Sequence, residues 1–379
     1  MTEPAAGADV VVVGGGVYGL GVAWELARKG ARVLVLEAMA EVASGASGGH
    51  GTRGVRTNGR ADVELPIMRL AIQRWPELAT ELEDPAIFRA IGCLEFVETP
   101  EGRGHVEARA LAQSQAGLPT RVVEGDELRQ LEPNLSPAIS AAMYCEGDGV
   151  SDHTATTRAL AREAKRHGTV IRCGVRVAGL EVASGRVTSL ITKEAERIAV
   201  REQLVLAANA GSADLVQGAF GVSLPLFNVL PQALISVPLR EPVTTHLVGH
   251  MNRRFHMKML ADGRAMISGG FLGSVNAETG LGEPAAWAIE KNLEEAAHVY
   301  PLLDGVQIEH AFADRFESVA RDGLAILDRV PGATNALLLA GFSGHGWAPA
   351  PAYVKLVADW LLSRKRPEEL APFAYTRFV

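Results

Sequence analysis

Cysteine is scarce in this chain. There are three among 379 residues, Cys93, Cys145 and Cys173. An odd, widely spaced set gives no disulfide framework and no zinc-ligand spacing, and it suits a reducing compartment. Long hydrophobic runs are missing too, and none approaches the roughly 20 residues that a membrane helix requires. Positive charge is not in excess: 37 Lys and Arg face 44 Asp and Glu, for a net charge of −7. Interspersed charge of this kind lacks the basic patch of a nucleic-acid partner. Met1 to Asp9 is too short and too polar for a signal peptide, so a cytoplasmic location is expected. There is no internal repeat, low-complexity tract or long linker. What remains is 47% hydrophobic residues and 40 glycines, the composition of a globular protein with many tight turns.

The N-terminus carries the clearest pattern. Asp9 to Val13 is a β-branched run suited to a parallel strand buried on both faces. Gly14-Gly15-Gly16-Val17-Tyr18-Gly19 follows at once. Leu20 to Lys29 reads as a helix stopped by Gly30, and Arg32 to Leu36 as a second strand ending at Glu37. Gly14 permits the tight turn, Gly16 lets backbone approach a pyrophosphate, and Gly19 lets helix and strand pack closely. The helix N-terminus offers free N–H groups to phosphates, and Glu37 stands where a carboxylate accepts ribose hydroxyls. Strand, glycines, helix, strand and acid agree, which predicts a dinucleotide site.

The next segment, Ala43 to Arg56, is nearly free of large side chains apart from His50, Arg53 and Arg56. It resembles the loop that wraps FAD in the D-amino-acid oxidase and sarcosine oxidase family of flavoproteins. Near the other end, Ala336 to Ala340 reads as a strand. It leads through Gly341-Phe342-Ser343-Gly344-His345-Gly346-Trp347 into a helix from Ala350 to Ser363. That glycine string is similar to the family's loop beside the flavin pyrimidine edge. The resemblance spans nearly the whole chain. It implies a Rossmann-like FAD-binding domain (1–85, 145–215, 315–379) and an interleaved substrate domain (86–144, 216–314) on a mixed or antiparallel sheet.

The resemblance also implies which residues meet FAD: Gly14, Gly15, Gly16, Val17, Tyr18, Gly19, Glu37 and Ala38 from the first unit. Ala46, Ser47, Gly48, His50 and Gly51 follow from the wrapping loop, and Val177, Ala208 and Gly211 from the middle of the chain. Gly341, Gly344, His345, Gly346 and Trp347 complete the set. The C-terminal half has no cysteine, which excludes the family's cysteinyl–flavin bond, so non-covalent FAD is expected; His50 is the one candidate for a covalent link. No metal is expected. His246, His250 and His256 cluster in sequence, but only the first pair has i, i+4 spacing, and no Cys or Glu completes a ligand set.

The implied reaction is oxidation of the C–N bond of an amino acid or secondary amine, with hydride passing to flavin N5 and the imine hydrolysing in water. Thr52-Arg53-Gly54-Val55-Arg56 matches the family's T-R-x-x-R pattern. It assigns Arg56 to the substrate carboxylate and Arg53 to a place close to the flavin. His345 joins them as a catalytic candidate, and His256 and Trp347 as substrate-pocket residues. Two departures stand out. Ala348 replaces a carboxylate-binding lysine. Ile267 aligns with the lysine that sarcosine oxidases place facing the flavin to activate oxygen, which hints at a dehydrogenase, although Lys258 lies nearby in sequence. The electron acceptor is therefore O2 or a redox partner.

Two other readings compete. Asp148-Gly149 with Ser151 and Arg158 faintly resembles a motif of flavin-dependent aromatic hydroxylases, which makes a monooxygenase the alternative. The tail Pro372 to Phe378 looks like that of the sarcosine oxidase β-subunit type, which keeps open a hetero-oligomer with this chain as its FAD-carrying subunit.

Between the two ends, Ala61 to Glu83 and Thr154 to His167 read as helices, and Val175 to Val182 and Gly185 to Thr192 as a hairpin. Gln203 to Ala208, Leu224 to Pro238 and Arg264 to Phe271 read as strands, and Ala286 to His298 as a helix. Glu95 to Pro137 reads as polar and turn-rich, with one helix from Glu107 to Ala116.

Overall fold

The computed structural model describes residues 8–47 and 51–379. The β-branched run forms β1 (Val10–Val13), followed by α1 (Val17–Ala27) and β2 (Val33–Leu36). All four residues of each strand are buried because both faces of the sheet are covered. Alternation splits them between two cores. Val10, Val12, Val33 and Val35 pack with α1 and with α2 (Ala350–Ser363). Val11, Val13, Leu34 and Leu36 face Leu190, Leu215 and Val216 on the other side.

The sheet has six strands in the order Ile326–Arg329, Ala336–Ala340, Gln203–Leu206, β1, β2, Val170–Arg172. All neighbours are parallel except the Ile326–Arg329 edge. The expected Rossmann-like layer is therefore present.

The wrapping loop does not stay a loop. Four of its last five residues form β3 (Thr52–Val55), antiparallel to Gly149–Asp152. The pairing partner lies far along the chain, so no local pattern announces the strand.

The second sheet holds β4 (Cys93–Val97), β5 (Leu247–His250), β6 (His256–Met259) and β7 (Ala265–Ser268). Its eight strands run Ile308–Phe312, Ala233–Ser236, β7, β6, β5, β4, Ala141–Cys145, Thr120–Glu124. β4 and β5 are parallel and the other neighbours antiparallel, so the sheet is mixed. One face is a core: Leu94, Phe96, Val248, Met257 and Ile267 pack with Ala296, Val299 and Tyr300 at the end of helix Ala286–Val299. By strand alternation Glu95, Gly249, His256 and Lys258 take the opposite face.

Several sequence expectations need correction. Glu95 to Pro137 is structured rather than turn-rich: it begins in β4 and contains helices Pro100–Gln115 and Gly125–Leu131 around the Thr120–Glu124 strand. The first helix starts earlier than Glu107 because Thr99 caps it, its hydroxyl accepting from Gly102 N at 3.1 Å, with Pro100 in the first turn. Leu224 to Pro238 is two strands, Leu226–Val229 and Ala233–Ser236, broken around Pro231, which has no N–H for a ladder.

The i, i+4 spacing of His246 and His250 falls at a strand and not on a helix. His246 bonds Glu132 at 2.6 Å, while His250 lies by Glu98 at 3.6 Å. No metal-binding group of acids, histidines and cysteines exists among the described residues. Ile267 is fully buried in the core face, so it does not share a face with Lys258. Among the described residues, no helix is long and apolar enough to cross a membrane.

Candidate active site

The turn after β1 accepts only glycine at two points. Gly14 has φ +113°, and a Cβ there would stand 2.3 Å from Ala207 O. A Cβ on Gly19 would stand 1.9 Å from the carbonyl oxygen of Gly14. Gly16, by contrast, has open space where a side chain would go. The N-terminal turn of α1 has neither a side-chain cap nor an acid, although most of the helix is buried. Its free N–H groups therefore want an anionic partner.

Glu37 completes this cradle. Its Oε2 accepts from Gly15 N at 2.6 Å and its Oε1 from Met39 N at 2.8 Å. Ala38 lies between those contacts, partly exposed. Val175 N donates to Glu37 O, which brings the start of the strand at Val177 alongside. The Val17 backbone begins α1. The Tyr18 ring, however, is buried, stacked on Phe342 at 3.9 Å, with its hydroxyl donating to Gly346 O. Tyr18 thus ties the first glycine turn to the C-terminal glycine loop.

That loop turns through Gly341, Ser343 and Gly344, all with positive φ. Glu317, which sequence reasoning missed, gathers its neighbours. It accepts from Gly344 N at 2.8 Å, Ser47 Oγ at 2.5 Å and Asn209 Nδ2 at 3.2 Å. Ala46 lies next to Ser47, and Ala208 and Gly211 flank Asn209 in a short 3₁₀ turn. Gly48 and His50 lie outside the described residues, whereas Gly51 accepts from His153 N at 3.1 Å. Trp347 packs against Trp75 and His153, with ring centroids 5.5 and 5.1 Å away, so most of its ring belongs to the α1–α2 core.

The charged groups collect between β3 and the free face of the second sheet. Arg53 donates to Ser47 O at 2.6 Å. Burial pulls its guanidinium down to about 10, opposed by Glu317 and Asp152, so it stays cationic at neutral pH. Arg56 begins the turn after β3, its Nη1 donating to Asn58 O at 2.8 Å. Arg60 donates to His345 O at 2.7 Å. Burial, with the charges of Arg60 and Arg56, pushes the His345 imidazole down to about 3. Burial likewise holds His256 well below its ordinary value, helped by Arg56, His345 and Lys258. Both histidines are neutral at pH 7. Lys258 is lowered to about 7, first by burial and then by Arg53 and Arg56. Arg53, Arg56, His256, Lys258 and His345 therefore sense one another across one site.

Asp148 holds the turn that carries Arg56. Its buried carboxylate accepts from Thr57 N at 2.8 Å and from Thr57 Oγ1 at 3.1 Å. Burial raises it to about 7 against those hydrogen bonds. Asp148→Ala would leave the Thr57 amide unsatisfied, at about 1–3 kcal/mol of stability in denaturant unfolding. Because the folded value exceeds the ordinary carboxylate value of 3.8, the group's contribution is fully present below about 4 and is lost as pH rises through about 7. Asp148→Asn, which keeps an acceptor, should match the wild type below about pH 4 and exceed it by a margin that grows up to about pH 7 and then stays constant.

A family model described as FAD dependent oxidoreductase matches residues 9–360. The protein belongs to this FAD-dependent oxidoreductase family. The oxidoreductase is 27% identical over 99% of its length to sarcosine oxidase subunit beta of Rhizobium meliloti, covering 89% of that protein. It is 26% identical to glycine oxidase of Geobacillus kaustophilus, over 98% of this chain and 97% of that one. Its fold matches L-proline dehydrogenase from P. horikoshii with a TM-score of 0.89 at 22% identity, covering 98% and 97% of the two chains.

The cofactor of the family fits the residues present. An uncapped helix start, the open space at Gly16 and an acid after the second strand are what an ADP moiety requires. Glu37→Ala in this oxidoreductase should weaken FAD retention about tenfold, read as flavin absorbance after gel filtration.

Proposed function

We propose that the oxidoreductase oxidises the C–N bond of a small amino acid or secondary amine carrying a carboxylate. The observation that supports this most is the convergence of Arg53 and Arg56 with His256, Lys258 and His345. A guanidinium holds a carboxylate through two parallel, charge-assisted bonds, which is the role of Arg56. Arg53 adds a second cation from β3. Both cations disfavour the ammonium form of a bound amine. Neutral His256 and His345 shape the site without adding charge.

Bound FAD supplies the hydride acceptor; its ADP half is assigned to Gly14 to Gly19 and Glu37, and its flavin end to the Gly341 to Gly346 loop. We assign FAD to the six-stranded layer (1–85, 145–215, 315–379) and substrate to the eight-stranded sheet (86–144, 216–314).

Lys258 changes the reading of the acceptor. The strand parity that buries Ile267 puts a lysine on the face of the arginines, so the departure that hinted at a dehydrogenase loses its support. A cation there stabilises negative charge developing on dioxygen. Asp148 spends its carboxylate on Thr57, which weakens the monooxygenase alternative. A second polypeptide remains the other assembly reading, supported by the likeness to a sarcosine oxidase β-subunit.

The test is an anaerobic screen of amines by flavin bleaching. Amino acids and N-alkyl amino acids should bleach the flavin without NAD(P)H. Equal bleaching by the matching amines without a carboxylate, or a need for NAD(P)H, would reject the reading.

A further inference from the structure

Glu95 is an acid in an otherwise apolar strand, Cys-Leu-Glu-Phe-Val. Its residue is only 7% exposed, and its side chain points away from the core that Leu94 and Phe96 join. In register it stands beside Gly249 of β5, and Gly249 stands beside His256 of β6. The missing Cβ of Gly249 matters here. A Cβ at that position would lie 2.9 Å from both Glu95 Oε2 and His256 Nε2. Glycine therefore lets the two side chains converge over the middle strand. Both of those atoms are buried and neither has a hydrogen-bond partner among the described residues. An unsatisfied carboxylate oxygen and imidazole nitrogen at one spot are costly unless a ligand completes them.

We propose that the Glu95 carboxylate, beside His256 over Gly249, binds the amino group of the substrate and accepts its ammonium proton. The inference rests on the amine-oxidation reading above and deepens it. Arg56 takes the carboxylate end of a zwitterion, and Glu95 takes the ammonium end. The step is a simple transfer: the N–H bond breaks, the electron pair stays on nitrogen, and the proton bonds a Glu95 oxygen. The freed lone pair is what a C–N bond needs before hydride can leave the adjacent carbon.

The surroundings suit a base. Burial raises Glu95 above the ordinary carboxylate range, opposed by Arg56. Cys93 on the same strand, kept a thiol by burial, senses Glu95; His256 converges on it over Gly249, and Lys258 takes the same face of the sheet from β6. Asp148 is committed to Thr57 and is not available.

Glu95→Gln keeps the shape and removes the base. With the wild type, the rate of flavin reduction at low amino-acid concentration should be level between the Glu95 and substrate-amine values. With Glu95→Gln it should be about a thousandfold lower at pH 7 and climb tenfold per pH unit toward the wild-type rate near pH 10. A loss equal at every pH, or no loss at pH 7, would overturn the proposal.

A second measurement needs no turnover. Calorimetry compares 2-aminoisobutyrate, which has no Cα–H to lose, with isobutyrate. Glu95→Gln should weaken the first about tenfold or more and leave the second unchanged. Equal changes for both, or none for either, would overturn the assignment. If no amine reduces the wild type but the amino ligand alone is weakened, Glu95 stands as an ammonium site and the oxidation reading fails.

Discussion

Arg56→Ala should lower kcat/KM for the preferred amino acid by roughly a hundredfold to a thousandfold while leaving FAD bound. The size follows from removing one partner of a charge-assisted pair in a mostly buried site, about 2–5 kcal/mol. Most of the loss should appear in KM, because the carboxylate is held in ground state and transition state alike. Arg56→Lys should recover only part, since an ammonium cannot make two parallel bonds in one plane. Steady-state kinetics, with the flavin absorbance as a control for cofactor content, decide the matter. Unchanged KM in Arg56→Ala would remove the carboxylate assignment. Amines without a carboxylate provide an internal check, because they should lose nothing.

Lys258→Met should have two separate effects. Reoxidation of the reduced protein by dioxygen should slow by about two to three orders of magnitude, the usual cost of deleting one aimed charge-stabilising group. The anaerobic reductive half-reaction should be far less affected, and stopped-flow mixing separates the halves. The second effect is on stability. The folded value of Lys258, about 7, lies below the ordinary lysine value of 10.5. The unfolded chain therefore holds the proton more tightly between those values, and wild-type stability from this group rises as pH climbs from 7 to 10.5. Lys258→Met has no such burden. It should exceed the wild type by a few kcal/mol at or below pH 7, with the gap closing by pH 10.5. Urea unfolding of the apoprotein at pH 6.5 and pH 10 reads this directly. A constant gap would show that Lys258 is not lowered in the folded protein.

The parts of the site written in local patterns are readable from the sequence. Gly14, Gly16, Gly19 and Glu37 sit within one βαβ unit, and their spacing alone implies the cradle that Gly15 N and Glu37 Oε2 form. Helix Ala350–Ser363 was legible to the residue because prolines open it and polar residues close it. What escaped depends on partners far away or on strand parity. Asp148 reaches Thr57, and Glu317 reaches Ser47 and Gly344, across separations no local pattern encodes.

Ile267 and Lys258 show the parity problem. Their strands are neighbours, but aligning one residue without knowing which side of the pleat it takes chooses the wrong face. Glu95 did leave a signal, a lone acid among Cys93, Leu94, Phe96 and Val97, all buried. It was obscured because the segment after it is polar.

The order of strands around β1 has a consequence for synthesis. β2 pairs with β1 early, but the other neighbour of β1 begins at Gln203, and the strand beyond that begins at Ala336. At about 5–20 residues per second, β1 waits on the order of 10–40 s for its second edge to be covered. During that interval four consecutive valines present an open strand edge, the kind of surface that recruits another copy. A nascent chain of this protein should therefore depend on chaperone cover until Leu206 has emerged. With FAD assigned to both the first glycine turn and the Gly341 loop, the flavin can act as a folding ligand only at the very end.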